Sequence, residues 1–169
     1  MTDLFTPRFF EHGDPYRLTY GDNAIDPGKP GWYFRVYEYA WADALAHGRT
    51  LDAGSGVGHF FKDYLAERCP VDAVDKAEEI LGVKCKAACH KANLWELPFP
   101  DNTFDTVLCI SVLEELEPFE RQRSIMEFRR VVKPTGIIAI TFDYPAVNPQ
   151  EFSEHFPASP PRGAVSQFH

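Results

Sequence analysis

Between Arg49 and Phe142 short apolar runs alternate with segments of helical spacing, and few folds accept that alternation. The runs "RTLDAG", "VDAVD", a weaker one over Ala87 to Ala92, "FDTVLCI" and "IIAITF" each have the length of one strand. Phe34, Tyr37, Trp41, Ala44 and Leu45 predict an amphipathic helix that stops at His47 and Gly48. His59 to Arg68 reads as a second helix with Phe61, Tyr64 and Leu65 inward, and "KAEEILG" as a helical turn stopped by Gly82. Pro118 opens a further helix to about Val132, with Ile125, Phe128 and Val132 on one face, and "KPTG" then breaks the chain before the last strand. Strands separated by helices are joined by parallel crossovers, and near-continuous apolar runs suit a sheet covered on both faces. The expectation is an α/β three-layer sandwich around a mostly parallel sheet.

Its length of 169 residues, 44% of them hydrophobic, suits one core. Residues 1–31, with four prolines and four glycines, read as an arm; 32–146 form the body; 147–169 form a proline-rich tail rather than another helix. Seventeen Lys and Arg against 25 Asp and Glu leave a net charge of -8, the wrong sign for gathering phosphate backbones, so nucleic acid is not an expected partner. No apolar run has the length of a membrane span, and the start lacks the basic and apolar blocks of a secretory signal, so a cytoplasmic protein is expected. The four cysteines are too scattered for a disulfide framework and read as reduced thiols. Cys85, Cys89 and His90 cluster in "CKAACH", but no second Cys/His pair at zinc spacing joins them, and no metal is expected.

The strand "RTLDAG" runs into "GSGVG", where Gly54, Gly56 and Gly58 stand at every second position before a helix. Glycine permits φ > 0 and lets a ligand touch the main chain, so this is a candidate cradle at the carboxyl end of a parallel strand, where such sheets bind their ligands. A dinucleotide fingerprint needs a glycine five positions after the first, and His59 stands there, which disfavours a nicotinamide oxidoreductase.

The pattern Asp52-x-Gly54-x-Gly56-x-Gly58 resembles the class I S-adenosylmethionine-dependent methyltransferases, in particular the small-molecule, type 11-like group. "VDAVD", "NLWELPFPDNTFDTVLCISVLEELE" and "FRRVVKPTGIIAITFDYP" follow in that family's order, so the resemblance covers about Thr50 to Pro145. It implies a Rossmann-like sheet of strand order 3-2-1-4-5 and S-adenosylmethionine as cofactor. Asp52, Gly54, Ser55, Gly56 and Gly58 would form its cradle, Asp75 would hold both ribose hydroxyls with Lys76 beside it, and Asn93, Leu94 and Trp95 would meet the adenine. Ser111 would line the methionine end. Candidates for removing a proton from the methyl acceptor are Glu115, its neighbour Glu114, Asp143 and His59. Tyr16, Tyr20, Trp32 and Tyr33 are candidate lid or acceptor-pocket residues. A small-molecule acceptor is expected, with a sugar or other hydroxylated metabolite suggested by the likeness of "TFDYP" to glycan-related members. The rival is a non-catalytic module that retains the cofactor or its demethylated product and works through a partner chain. The family's usual last two strands are not legible here, which leaves a minimal version, a fragment, or an edge covered by the tail or by a second copy in a homodimer.

Overall fold

Val107 and Cys109 turn to one face of the strand they share and Leu108 to the other, all three fully buried, so that strand needs cover on both sides. A computed structural model describes residues 8–9, 35–143, 146–148 and 162–168. Its strands are β1 (Arg8–Phe9), β2 (Thr50–Ala53), β3 (Val71–Asp75), β4 (Ala88–Lys91), β5 (Phe104–Ile110), β6 (Val132–Asp143) and β7 (Arg162–Phe168). Its α-helices are α1 (Arg35–Leu45), α2 (Phe61–Leu65) and α3 (Pro118–Val131), with single 3-10 turns at Glu78–Gly82 and Leu113–Glu115. The sheet order is β1-β7-β6-β5-β2-β3-β4, and every pair is parallel. Counting only the five strands expected from the sequence, this is 3-2-1-4-5.

Two apolar layers flank the sheet. Ile125, Phe128 and Val131 of α3 pack with Leu51, Val107 and Ile138 on one face; Tyr39 and Ala42 of α1 and Phe61 and Leu65 of α2 pack with Ala73, Leu108 and Ala139 on the other. α3 starts on Pro118, and the Glu117 N–H donates to Glu120 Oε2 at 3.0 Å, so the first turn is satisfied by its own sequence. Among the described residues no helix is long and apolar enough to cross a membrane.

Three expectations are corrected, and one left open, that the tail covers the edge of β6, is met. In α1 Trp41 is buried and Tyr37 and Leu45 pack against the same layer as expected, but Ala44 is exposed and Glu38, Tyr39 and Ala42 are buried beside them; Phe34 lies outside the described residues. The second helix is shorter than 59–68, and Lys62 is buried in place of Tyr64, because the lysine finds polar partners inside. β6 begins before "KPTG": Phe104 pairs with Val132 and Thr106 with Ile137, so the intervening residues bulge within the strand. The tail contains β7, which pairs with Ile137 to Asp143 along its whole length. Backbone pairing demands no apolar periodicity, which is why "RGAVSQF" carried no signal. The edge of β6 is thus filled by the same chain, without a second copy. Tyr16, Tyr20, Trp32 and Tyr33 lie outside the described residues.

Candidate functional site

The carboxyl ends of β2, β3 and β5 open onto a cleft of about 240 Å³. Eight residues singled out in the sequence line it: Gly54, Asp75, Lys76, Asn93, Leu94, Trp95, Ser111 and Glu115. Ala92, Val112 and Leu116 complete an otherwise apolar wall. A second cavity of about 70 Å³ shares Gly54 and Ser111 with the first and is lined by Asp52, Ser55 and His59 together with Arg35 and Tyr39. Gly56 and Gly58 belong to the loop but line neither cavity, and Asp143 stands exposed at the end of β6 and lines neither.

The turn after β2 depends on glycine at two points. Gly54 has φ +80° and Gly56 φ +65°; an added Cβ at the first would lie 2.5 Å from the Val112 side chain, and at the second 2.2 Å from the His59 ring. The Gly56 N–H donates to Asp75 Oδ2 at 2.9 Å and the Ala77 N–H to Oδ1 at 2.9 Å, so Asp75 ties the turn to the end of β3 while still facing the cleft. Each carboxylate oxygen keeps a further lone pair for a ligand hydroxyl.

Lys62, which the sequence reading passed over, closes the turn from behind. It is 1% exposed, and its Nζ donates to the carbonyls of Gly56 (2.7 Å), Val57 (3.2 Å) and His59 (2.7 Å). All three ammonium protons thus have acceptors. In a trans peptide N–H and C=O point oppositely, so the N–H groups of Val57 and Gly58 face away from Lys62. A Cβ on Gly58 would meet nothing within 4 Å. The clamp therefore presents main-chain donors on an unobstructed side of the loop.

Glu38, also unforeseen, ties α1 to the ends of β5 and β6. It is 1% exposed; its Oε1 accepts from Ser111 Oγ and, at 2.6 Å, from Thr141 Oγ1, while Oε2 accepts from Arg35 Nη1 at 2.5 Å. Ser111 has φ +47°, a strained conformation for a side chain, and its N–H is held by Thr141 O at 3.0 Å. The hydroxyl where the two cavities meet is therefore fixed from both sides.

Burial pushes the Asp52 carboxyl up to about 7, with Lys62 pulling it down and Asp75 pushing it further up. Burial likewise raises Glu114 to about 7, where Asp143 and Glu38 add to the shift, and one of its oxygens is buried without a hydrogen-bond partner among the described residues. Burial lowers His59, helped by Arg35 and Lys62. For Asp52 the folded value lies above the unfolded one of about 3.9, so its contribution to stability is complete below that value and is lost as pH rises to about 7. Asp52→Asn removes the titration. The variant is expected to melt higher than the wild type at pH 8, with the difference closing towards pH 4; thermal melts at both pH values measure it, and a pH-independent difference would contradict it.

A parallel α/β sheet with a glycine turn, a strand-end acid and an apolar cleft at one carboxyl edge defines a nucleotide-cofactor protein of the Rossmann-like class. Residues 51–140 match the family described as a methyltransferase domain, and the chain belongs to it. S-adenosylmethionine is the cofactor that membership implies. An uncharacterized methyltransferase of Schizosaccharomyces pombe is 34% identical over 107 residues, covering 53% of this chain and 38% of its own. The tRNA N(3)-cytidine methyltransferase METTL2 of Danio rerio is 29% identical over 113 residues, covering 57% of this chain and 32% of its own. The chain thus spans well under half the length of these relatives. Among solved structures, the PH0226 protein of Pyrococcus horikoshii superimposes with a TM-score of 0.53 at 26% identity, over 66% of this chain and 54% of that one.

Proposed function

We propose that the cleft holds S-adenosylmethionine, with Asp75 on the ribose, Asn93, Leu94 and Trp95 around the adenine and Ser111 towards the methionine end, and that the methyl acceptor is a small hydroxylated molecule. The observation that carries this reading is the convergence of those five residues, from three separate loops, on one cleft. The cofactor supplies an already activated methyl group, so the protein has to align the acceptor, exclude water and remove one proton. Asp52 and Ser55, which line the smaller cavity, would hold the amino-acid end there.

Of the three carboxylates and one imidazole considered as proton acceptor, Glu114 fits best. Its ionisation lies near neutrality, and its buried oxygen has no partner to give up among the described residues. Glu115 lines the cofactor cleft and is exposed, which suits contact with the cofactor more than proton removal. Glu114→Gln is expected to lower turnover by about 10²- to 10⁴-fold with cofactor affinity nearly kept, and to remove a rise in rate centred near pH 7. Glu115→Gln should change turnover far less; the reverse pattern would move the role to Glu115.

A small acceptor is supported by the net charge of -8, which repels a phosphate backbone. A second reading, an RNA acceptor, draws on the tRNA enzyme among the relatives. Transfer of labelled methyl from S-adenosylmethionine to a panel of hydroxylated metabolites and, in parallel, to bulk tRNA separates the two. Labelled tRNA with an unlabelled panel would overturn the small-molecule reading, and binding without transfer to either would favour a non-catalytic module.

A further inference from the structure

Cys85 and Cys89 take no part in the cleft, yet their Sγ atoms stand 3.4 Å apart, in van der Waals contact. Both are half-buried and within reach of a small reagent. The other two thiols are placed differently. Cys69 Sγ lies 3.7 Å from Thr50 Oγ1 and 3.6 Å from Leu65 O, and Cys109 is fully buried in the core beneath α3. His90, the third member of the "CKAACH" cluster, lies on the opposite face of β4 from Cys89 and turns Nε2 to Asp72 Oδ1 at 2.8 Å. The segment carrying Cys85 is anchored on the α2 side: the Lys86 N–H donates to Asp63 Oδ1 at 2.7 Å, and Lys86 Nζ pairs with Glu67 Oε1 at 2.7 Å. The two sulfurs are held together by the fold.

We propose that Cys85 and Cys89 form a modification site for low-molecular-weight disulfides, which oxidise the pair to an intramolecular disulfide. Closing the gap to the covalent length of about 2.05 Å takes a movement of only about 1.4 Å, shared between two side chains. Cys85, flanked by Lys84 and Lys86, attacks as thiolate one sulfur of the small disulfide; that S–S bond breaks, and the leaving thiolate takes up a proton. Cys89 then loses its proton and attacks the Cys85 sulfur of the mixed disulfide, releasing the second small thiol. Two protein thiols are oxidised and one small disulfide is reduced to two thiols. Burial and the neighbouring Cys85 thiol raise Cys89 to about 11, which fits it to the second step rather than the first. The new bond lies at the start of β4, while the cleft begins beyond its end at Ala92. It braces the edge strand that delivers Asn93, Leu94 and Trp95.

The test uses the whole chain and oxidised glutathione, followed by alkylation, trypsin and mass spectrometry. Cleavage after Lys84, Lys86 and Lys91 leaves Cys85–Lys86 as a dipeptide, so the bond appears as that dipeptide linked to residues 87–91, lighter by two hydrogens. The wild type is expected to yield this linked pair with little accumulated mixed disulfide. Cys85→Ser should block the first step and leave Cys89 largely unmodified, whereas Cys89→Ser should accumulate glutathione on Cys85. Stable glutathionylation of the wild type without the linked pair, or links to Cys69 in equal amount, would overturn the assignment. None of these outcomes depends on the cofactor or the acceptor, so the test stands apart from the proposed activity.

Discussion

Lys62→Met is expected to lower stability by about 3–5 kcal/mol and to weaken S-adenosylmethionine binding together with it. Methionine keeps the apolar stem and the length of the side chain but none of its donors. The carbonyls of Gly56, Val57 and His59 then lose the ammonium they share, in a position that is 1% exposed, and the buried Asp52 carboxyl loses the positive charge that pulls it towards ionisation. Hydrogen bonds to a charged group contribute about 1.5–3 kcal/mol each, and the relief of no longer burying an ammonium offsets part of the three. In a domain of this size the loss corresponds to a drop of roughly 10 °C in melting temperature. Once freed, the carbonyls can rotate, and the outward N–H groups of Val57 and Gly58 lose their fixed direction. Thermal melts with calorimetric titration of the cofactor measure both effects, and a variant with wild-type melting and wild-type affinity would show that the clamp is dispensable.

Asp75→Ala should weaken S-adenosylmethionine binding by about 10- to 150-fold, the equivalent of one charge-assisted interaction of about 1.5–3 kcal/mol. The carboxylate serves two purposes at once: it accepts the Gly56 and Ala77 N–H groups, and it faces the cleft. Alanine removes both, so the glycine turn loosens as the ribose anchor is lost. Asp75→Asn separates them, because one amide oxygen can still accept from Gly56 while the charge is gone, and its affinity should fall between the two. NADH serves as the control ligand and should show no saturable binding to any of the three proteins. Unchanged affinity in Asp75→Ala would remove the anchor from this residue, and tight NADH binding would overturn the cofactor assignment.

Much of the cleft was legible because its signals are local. A glycine at φ +80° or +65° has no substitute without strain, and Asp75 ends an apolar run, whereas Asn93 to Trp95 came only from the family resemblance. The weaker parts failed for equally physical reasons. In α1 the expected face holds at Tyr37, Trp41 and Leu45 but misses Glu38, since hydropathy assigns Glu38 to water although the protein buries it. β7 gives no periodic signal, because its place comes from main-chain pairing with β6.

By itself the sequence determined the order of strands and helices, the glycine turn, the acid at the end of β3 and the residue types around the cleft, all set by short-range sterics and by apolar periodicity within one element. Only the tertiary structure decided that Lys62 faces inward to three carbonyls, that Cys85 meets Cys89, and that Glu38 reaches Thr141 across 103 positions of sequence. A buried polar group is tolerable only with its partners in place, and those partners are brought together by the assembled sheet and its helices, not by any neighbour along the chain.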